Sequence, residues 1–313
     1  MIISKENAIV AYKAFNSDFS CRNFMYEVGK EYHINCDVKM CENGFHACQN
    51  SIDTFNYYPI VNSRFAIVKL WGDVLYGNDK VCASNIEIVK ELSLKDIVER
   101  YAASKIDYLD KTFNRHIVLN KDENELCING GLNYVFSNYS NKKIITNGDE
   151  NNIITTGVSN TIINFGYKSN INCYGTCSNL VSIGNDAKII LCENPTASLY
   201  GNRNNIILSS DYGTVVSNGN YCLITIISNY ARCETNGEYN KIIVTGGSTI
   251  DSKGINDELV LNGDNIKFRA KYGSTITCVG KEKMIVDDKC IVSDTWYRYI
   301  NGNIQFYDMQ MYK

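Results

Sequence analysis

Short apolar segments recur at a fixed interval in the second half of the chain. In each segment an apolar side chain stands four residues before a repeated position, usually a glycine, and a small or apolar side chain follows two residues later. Such alternation is typical of a short β-strand with one face turned inward. The inward positions are Ile144, Ile153, Ile162, Ile171, Leu180, Ile189, Ile206, Val215, Ile224 and Ile242.

Glycines mark the same interval. Gly148, Gly157, Gly166, Gly175 and Gly184 are nine residues apart, and Gly219, Gly237 and Gly246 keep the interval after a one-residue deletion near Pro195. We expect each glycine to adopt the positive φ of a tight corner. Asparagines precede several strands, where their amides can bond along a stack: Asn152, Asn170, Asn179 and Asn205.

A nine-residue unit is too short to bury its own inward face, so the units must stack. The sequence therefore predicts a mainly β protein with a parallel β-solenoid over residues 121–280, built from two units per coil. The interval extends over roughly eight coils. Its glycines lack the GGxGxD pattern of calcium-binding rolls, so we expect no calcium.

The two ends of the solenoid need caps, because an open ladder edge pairs with other chains. Residues 281–313 contain Asn301-Gly302, a preferred pair for a type I′ turn, and predict a β-hairpin cap. Residues 93–120 open with Ser93-x-x-Asp96, a capping-box pattern, and predict a connecting helix.

A second apolar position, directly after the inward one, predicts an interaction surface. It should point outward, where it could pack on the first domain, on a second copy or on a partner protein; if the coil is wide, both faces are internal. These residues are Ile145, Ile154, Ile163, Val181, Ile190, Ile207, Val216 and Ile243.

Residues 1–92 lack the nine-residue interval and predict a separate α+β head domain. AIVAYKAF and RFAIVKLWG are rich in β-branched and aromatic residues, as strands are. SIDTFNYY, which begins at Ser51, predicts a short helix.

Composition excludes several classes of protein. The chain has 31 basic and 34 acidic residues and a net charge of -3, so it has no basic surplus for nucleic acid. No apolar run is long enough to span a membrane. The 13 cysteines follow no secretory signal, so we expect reduced thiols and a cytoplasmic location.

The head resembles a family of uncharacterised domains at the N-termini of phage and prophage proteins, which carry GFHxC followed by a helix ending in YYP. The matching residues are Tyr12, Lys13, Phe15, Gly29, Cys41, Gly44, Phe45, His46, Cys48, Tyr57, Tyr58 and Pro59. The resemblance implies an accessory protein of a mobile element in a host cell, in some cases one that antagonises host defence.

The head also resembles the ADP-ribosyltransferase fold, in which a glycine–aromatic turn, a helix and a tyrosine line a nicotinamide pocket. Gly44 to His46 and Tyr57 or Tyr58 match that arrangement. The resemblance implies NAD as a cofactor, with Tyr12 and Lys13 on the first strand and Glu87 as the candidate for the catalytic glutamate. The first strand departs from the family, which has a His or Arg there.

A zinc site is a further chemical hypothesis for the head. Cys36, Cys41, His46 and Cys48 offer ligands that zinc accepts, with His33 and Cys21 nearby, although C-x4-C-x4-H-x-C is not a usual zinc module. The alternative is that the thiols are buried as small apolar groups and His46 is hydrogen-bonded.

These observations favour a non-enzymatic, cofactor-free interaction protein whose solenoid contacts a host protein or a second copy. The alternative is an NAD-dependent transferase with the solenoid as its target-binding module.

Overall fold

The computed structural model describes residues 1–106, 111–176 and 178–308. Two compact units divide the chain, Met1–Lys105 and Ile106–Lys313. The predicted connector 93–120 spans this division, since its helix belongs to the first unit and its end contributes a strand to the second. Among the described residues, no helix has the length and apolar character needed to cross a bilayer.

The first unit, the head, is an antiparallel β structure with two short 3-10 helices and one α-helix. Its strands are β1 (Ile2–Ile3), β2 (Ile9–Asn16), β3 (Ser20–Cys21), β4 (Phe24–Met25), β5 (Glu31–His33), β6 (Phe45–Cys48), β7 (Ser63–Tyr76) and β8 (Lys80–Leu92). The 3-10 helices are Lys5–Asn7 and Ser51–Asn56, and the α-helix is α1 (Leu94–Lys105). The two predicted strands are β2 and β7, and the predicted SIDTFNYY helix is the second 3-10 helix.

Four strands of the head form a closed ring of antiparallel pairings, β2–β7, β7–β8, β8–β6 and β6–β2. The ring buries apolar side chains from β2, β7 and β8, among them Phe15, Phe65 and Ile86. At the start of α1, Ser93 and Asp96 form the predicted capping box, because each side chain bonds to the other residue's backbone N–H.

The second unit is the predicted parallel β-solenoid, of about 9 turns. Sheet 1 consists of β10 (Glu125–Asn129), β12 (Lys143–Asn147), β14 (Thr161–Asn164), β16 (Asn179–Ser182), β18 (Thr196–Leu199), β20 (Thr214–Ser217), β22 (Arg232–Thr235), β24 (Thr249–Ser252) and β26 (Ile266–Arg269). Sheet 2 consists of β9 (His116–Val118), β11 (Tyr134–Ser137), β13 (Asn152–Thr155), β15 (Asn170–Cys173), β17 (Lys188–Leu191), β19 (Asn205–Leu208), β21 (Leu223–Ile226), β23 (Lys241–Val244), β25 (Glu258–Leu261) and β27 (Thr275–Cys278).

The register confirms two nine-residue units per coil. Ile144 pairs with Ile162, 18 residues later, and Leu180 pairs with Ala197, 17 residues later, where the deletion near Pro195 falls. The inward isoleucines of both sheets form one continuous core. This core lies between the sheets, as the apolar pattern predicts.

The C-terminal cap is also confirmed. Antiparallel strands end both sheets: β28 (Met284–Ile285) pairs with β27, and the hairpin β29 (Tyr297–Ile300) and β30 (Asn303–Phe306) extends sheet 1. Asn301 and Gly302 have φ of 50° and 74°, as a type I′ turn requires. Residues 309–313 of the predicted cap lie outside the described part of the chain.

The prediction that the repeated glycines adopt positive φ is wrong. The left-handed residue of a corner is usually two positions later, as at Glu150, Lys168 and Arg203. Glycine is required for a different reason: a Cβ on Gly166 would overlap the backbone carbonyl oxygen of Gly148 in the preceding coil. The glycines therefore permit close stacking of successive coils.

Asparagine side chains hold the stack together, as predicted, but the main set differs from the predicted one. Asn170 does donate from Nδ2 to Oδ1 of Asn152 at 2.8 Å. The buried set lies three residues after the glycines: Asn151 donates to the Gly148 carbonyl at 2.7 Å, and its Oδ1 accepts from the Asn133 backbone N–H at 2.9 Å. Each such amide ties a corner to the adjacent coil.

Candidate functional site

The head contains a cavity of about 690 Å³ that brings together most of the residues predicted for its chemistry. Five of the six candidates for the transferase site line it: Tyr12, Lys13, His46, Tyr57 and Tyr58. Strand β2 supplies the first two, β6 supplies His46, and the tyrosines follow the second 3-10 helix.

Lys13 is a buried cation in the wall of this cavity. Its side chain is 6% exposed, and Nζ donates to the His46 carbonyl oxygen at 2.9 Å and to Cys21 Sγ at 3.5 Å. The rings of Tyr26 and Phe15 lie 5.5 and 5.6 Å from Nζ. Burial lowers the pKa of the Lys13 amine because it disfavours the charged form.

His46 is held at both ring nitrogens by the backbone of its own loop. Nε2 accepts from the Cys41 N–H at 2.9 Å, and Nδ1 donates to the Gly44 carbonyl oxygen at 3.0 Å. Burial, with the nearby Lys13 charge, lowers the pKa of His46. The imidazole is therefore a neutral clamp, and neither nitrogen has a free lone pair for a metal or a proton.

Gly44, in the GFHxC motif, has a structural role. Its φ is +121°, and a Cβ there would overlap Cys82 Sγ on β8. Glycine at this position lets the loop turn closely against β8 before β6 begins, and so places His46 in the cavity wall.

Tyr57 and Lys80 form a second polar group at the cavity. The Tyr57 hydroxyl donates to Asp79 Oδ2 at 2.6 Å, and Lys80 Nζ lies 4.6 Å from the centre of the Tyr57 ring. Burial and the Asp79 hydrogen bond raise the pKa of Tyr57 to about 12. Burial and a hydrogen bond to Cys21 also raise the pKa of Tyr58, so both phenols stay protonated.

The four predicted zinc ligands do not form a metal site. Within the described residues, no group of three or more His, Cys, Asp or Glu side chains is placed to hold a metal ion. Cys36 is exposed, where its Sγ accepts from Asn43 Nδ2 at 3.0 Å, and His46 is occupied by backbone groups. Burial raises the pKa of Cys48 to about 12, so this thiol remains neutral. The ring of His33 bonds to two asparagine side chains, those of Asn35 and Asn85.

Glu87 lies outside the cavity. It stands on β8, where it pairs in register with Glu31 and with Lys69, whose Nζ is 3.9 Å from its carboxylate. The described residues that line the cavity include no aspartate or glutamate. Asp79, which accepts from the hydroxyl of the lining residue Tyr57, is a carboxylate that contacts the cavity wall without lining the cavity.

Three cations line the cavity, Lys13, Arg22 and Lys80, and sequence reasoning missed the last two. In the described part of the chain none of the three forms an ion pair; Arg22 donates to the Cys41 carbonyl oxygen at 3.3 Å. Aromatic side chains, among them Tyr12 and Phe24, line the same cavity as these positive charges. The arrangement suits a small anion with a flat or sugar-like part.

The predicted outward apolar residues of the solenoid divide between its two sheets. In sheet 1, Ile145, Ile163 and Val181 are fully buried and Val216 is half-buried. In sheet 2, all four are half-buried: Ile154, Ile190, Ile207 and Ile243. Only the sheet 2 set and Val216 retain surface that a partner could touch.

Exposed tyrosines lie at the corners beside this part of sheet 2. Tyr221 stacks on Tyr239 with ring centres 5.2 Å apart, and Tyr212 stacks on Tyr230 at 5.3 Å. Tyr212 and Tyr230 follow the sheet 2 strands β19 and β21, and Tyr221 and Tyr239 precede the sheet 2 strands β21 and β23. The corners on both sides of these sheet 2 strands therefore carry exposed aromatic rings.

Residues 9–100 match the family model described as Domain of unknown function (DUF7666). The match covers strands β2 to β8, the cavity residues and the first part of α1, and it ends before the solenoid. No curated protein and no solved structure matches the chain. The comparisons therefore show what the head is similar to, and they give it no chemistry.

Proposed function

We propose that the head binds a small anionic ligand with a planar or sugar-like part, of the nucleotide type, and that the solenoid is a non-catalytic support. The observation that carries this proposal is the cavity of about 690 Å³, which is lined by several aromatic rings and by three cations; among the described residues these cations form no ion pair, and no carboxylate lines the cavity. Ligand pockets commonly have volumes of roughly 300–1,000 Å³.

The buried charge supports an anionic ligand. Removing an ammonium from water is costly unless an anion compensates it, and the partners of Lys13 Nζ among the described residues are a carbonyl, a thiol and two rings. A phosphate or carboxylate from a ligand would supply this charge when Lys13 is protonated. Arg22 and Lys80, at less buried positions, would complete the anion's contacts.

Calorimetric titration with pyrophosphate, AMP and ADP-ribose tests this proposal. We expect binding that weakens with salt, and roughly tenfold weaker binding for Arg22→Gln or Lys80→Gln, because a charged hydrogen bond contributes about 1.5–3 kcal/mol. Lys30→Gln, an exposed lysine of the head outside the cavity, is the matched control. Absence of binding by all three anions, or equal loss in the control, would contradict the proposal.

An NAD-dependent transferase is the second candidate, because Tyr12, His46, Tyr57 and Tyr58 share one cavity. The absence of a lining carboxylate in the described residues favours binding over transfer. Release of nicotinamide from NAD, lost in the double variant Tyr57→Ala, Tyr58→Ala, would instead support the enzyme. NAD binding without nicotinamide release would support the binding role.

We further propose that the protein is a cytoplasmic accessory protein of a phage or mobile element, and that its solenoid binds a host protein that acts in defence. The resemblance of the GFHxC…YYP motif to phage domains supports the origin. The half-buried Ile207 and Ile243 beside exposed tyrosine pairs support a protein-binding face on sheet 2.

Introducing charged residues into each sheet tests this surface. Proteins captured by the wild-type chain should be lost with Ile207→Lys combined with Ile243→Lys, and retained with Val216→Lys, a half-buried outward residue of sheet 1. Light scattering on the same samples reports whether the bound species is a second copy. Capture unaffected by the sheet 2 changes would contradict this use of the face.

A further inference from the structure

Lys13 has the surroundings of a reactive amine. Its side chain is almost fully buried, it lines an open cavity, and no carboxylate pairs with it in the described residues. Two of the three N–H groups of its ammonium have partners, the His46 carbonyl and Cys21 Sγ. A lysine in an apolar site beside other cations is the usual arrangement for an amine that attacks carbonyl groups.

The position of the amine is fixed by the His46 clamp. Because both nitrogens of the His46 ring bond to backbone groups of Cys41 and Gly44, the His46 carbonyl that accepts from Lys13 is also held in place. The rings of Tyr26 and Phe15 restrict the amine from two other directions. The amine is thus held in position before any ligand enters.

We propose that Lys13 forms an imine with an anionic ligand that carries an aldehyde or ketone, such as a phosphorylated carbonyl compound. This inference rests on the proposed anion binding, with Arg22 and Lys80 holding the anionic group. The Nζ lone pair attacks the carbonyl carbon to form a carbinolamine. Loss of water then leaves a C=N bond, with both amine hydrogens and the carbonyl oxygen leaving as water, so the step needs no oxidant or reductant.

Lys13 is better suited to this reaction than Lys80. Burial lowers the pKa of Lys13, which increases the neutral amine, whereas hydrogen bonding to Cys41 and Tyr57 raises the pKa of Lys80. We therefore assign Lys13 as the nucleophile and Lys80 as a cation that binds the ligand's anionic group.

Reductive trapping on the full chain tests the inference. The probe is pyridoxal 5′-phosphate, an aromatic aldehyde with a phosphate, followed by borohydride and peptide mapping by mass spectrometry. We expect Lys13 to be labelled at probe concentrations roughly tenfold below those that label surface lysines. Pyridoxal, which lacks the phosphate, should label Lys13 roughly tenfold less, and pyrophosphate should compete.

Peptide mapping of the wild-type chain identifies the labelled lysine without relying on a variant that must fold. Lys13→Arg keeps the positive charge and should abolish the preferential adduct, whereas Lys30→Gln should not. Binding of pyrophosphate or AMP with no preferential Lys13 adduct would overturn the imine and leave the proposed function intact. Failure of both binding and labelling would overturn both.

Discussion

Two titratable side chains, the half-buried His46 and the buried Asp257, accept hydrogen bonds from backbone N–H groups. His46 bonds to two backbone groups of the head. Asp257, 1% exposed in the solenoid, accepts from the Asn240 backbone N–H at 2.8 Å and from the hydroxyls of Thr235 and Ser252 at 2.8 and 2.7 Å. Burial shifts both pKa values toward the neutral form.

Protonation of His46 should destabilise the head. The lowered pKa means that the contribution of His46 to stability is present above the ordinary histidine value of about 6.5 and is lost as the pH falls through the folded-state pKa. A protonated Nε2 would also face the Cys41 N–H donor. In urea unfolding, the stability difference between wild type and His46→Gln should shrink as the pH falls from about 7.5 to about 5.

His33→Gln is the control for this pH effect, because the His33 ring contacts only side chains, those of Asn35 and Asn85. The effect of His46→Gln should show the same pH dependence when it is measured in the His33→Gln background. A stability difference between wild type and His46→Gln that does not change with pH would show that protonation of His46 does not destabilise the head.

Asp257→Asn should stabilise the solenoid at neutral pH. Because burial raises the pKa of Asp257, its contribution favours folding when the carboxyl is protonated, and that contribution is lost as the pH rises from the ordinary aspartate value through the raised one. Asn occupies the equivalent position in the preceding coil, where Asn240 Nδ2 donates to the Gly237 carbonyl at 2.8 Å. We expect a gain of about 1 kcal/mol at neutral pH, measured by denaturant unfolding.

Asp251→Asn provides the contrast, since Asp251 forms a two-point ion pair with Arg269 at 2.7 and 2.8 Å. Removing this charge leaves the Arg269 guanidinium unpaired and should lower stability. If both substitutions changed the free energy of unfolding in the same direction and by the same amount, the proposed difference between Asp257 and Asp251 would be wrong.

In each nine-residue unit, two structural requirements fall on different residues: close packing against the preceding coil, and the left-handed turn. The glycine removes a side chain where successive coils touch, as Gly166 does against Gly148. The turn in the left-handed region comes two residues later, at Lys168 with φ 53°, and any short or exposed side chain can occupy it at a modest cost. This separation explains why the glycine is regular and the turn residue varies from glutamate to tyrosine.

Substitutions at these two positions should have opposite signs. Gly166→Ala should destabilise the solenoid by about 3 kcal/mol, because its Cβ would overlap the Gly148 carbonyl oxygen and force the coils apart. Lys168→Gly should stabilise it by up to about 1 kcal/mol, since it relieves positive φ in a lysine and loses only an exposed ion pair with Glu150. Thermal unfolding of the two variants measures both. Destabilisation by Lys168→Gly together with tolerance of Gly166→Ala would reverse this assignment.

The solenoid was predictable from the sequence because its interactions repeat, and the cavity was not because its interactions do not. Ile162 meets Ile144 at a fixed separation, so periodicity reveals the contact. Arg22 and Lys80 come to one cavity from distant points of the chain, and no local pattern links them. The motif around His46 correctly indicated one wall of the cavity. The sequence did not show that both ring nitrogens of His46 bond to backbone groups, because these bonds depend on the path of the loop.

The solenoid as a whole needs its C-terminal cap to remain unassociated at that end. The cap covers the last strands of both sheets, with Tyr297 paired to Phe268 and Met284 paired to Ile276 in antiparallel register. Truncation after Gly280 should expose these strand edges and the inner face of Phe268, and so promote end-to-end pairing between chains. Light scattering should then give a larger mass, in multiples of the chain, than the full chain gives at the same concentration. Phe306→Ser, which removes a 70% exposed side chain but leaves the cap strands paired, should behave as the full chain, and an unchanged mass after truncation would show that the cap is dispensable.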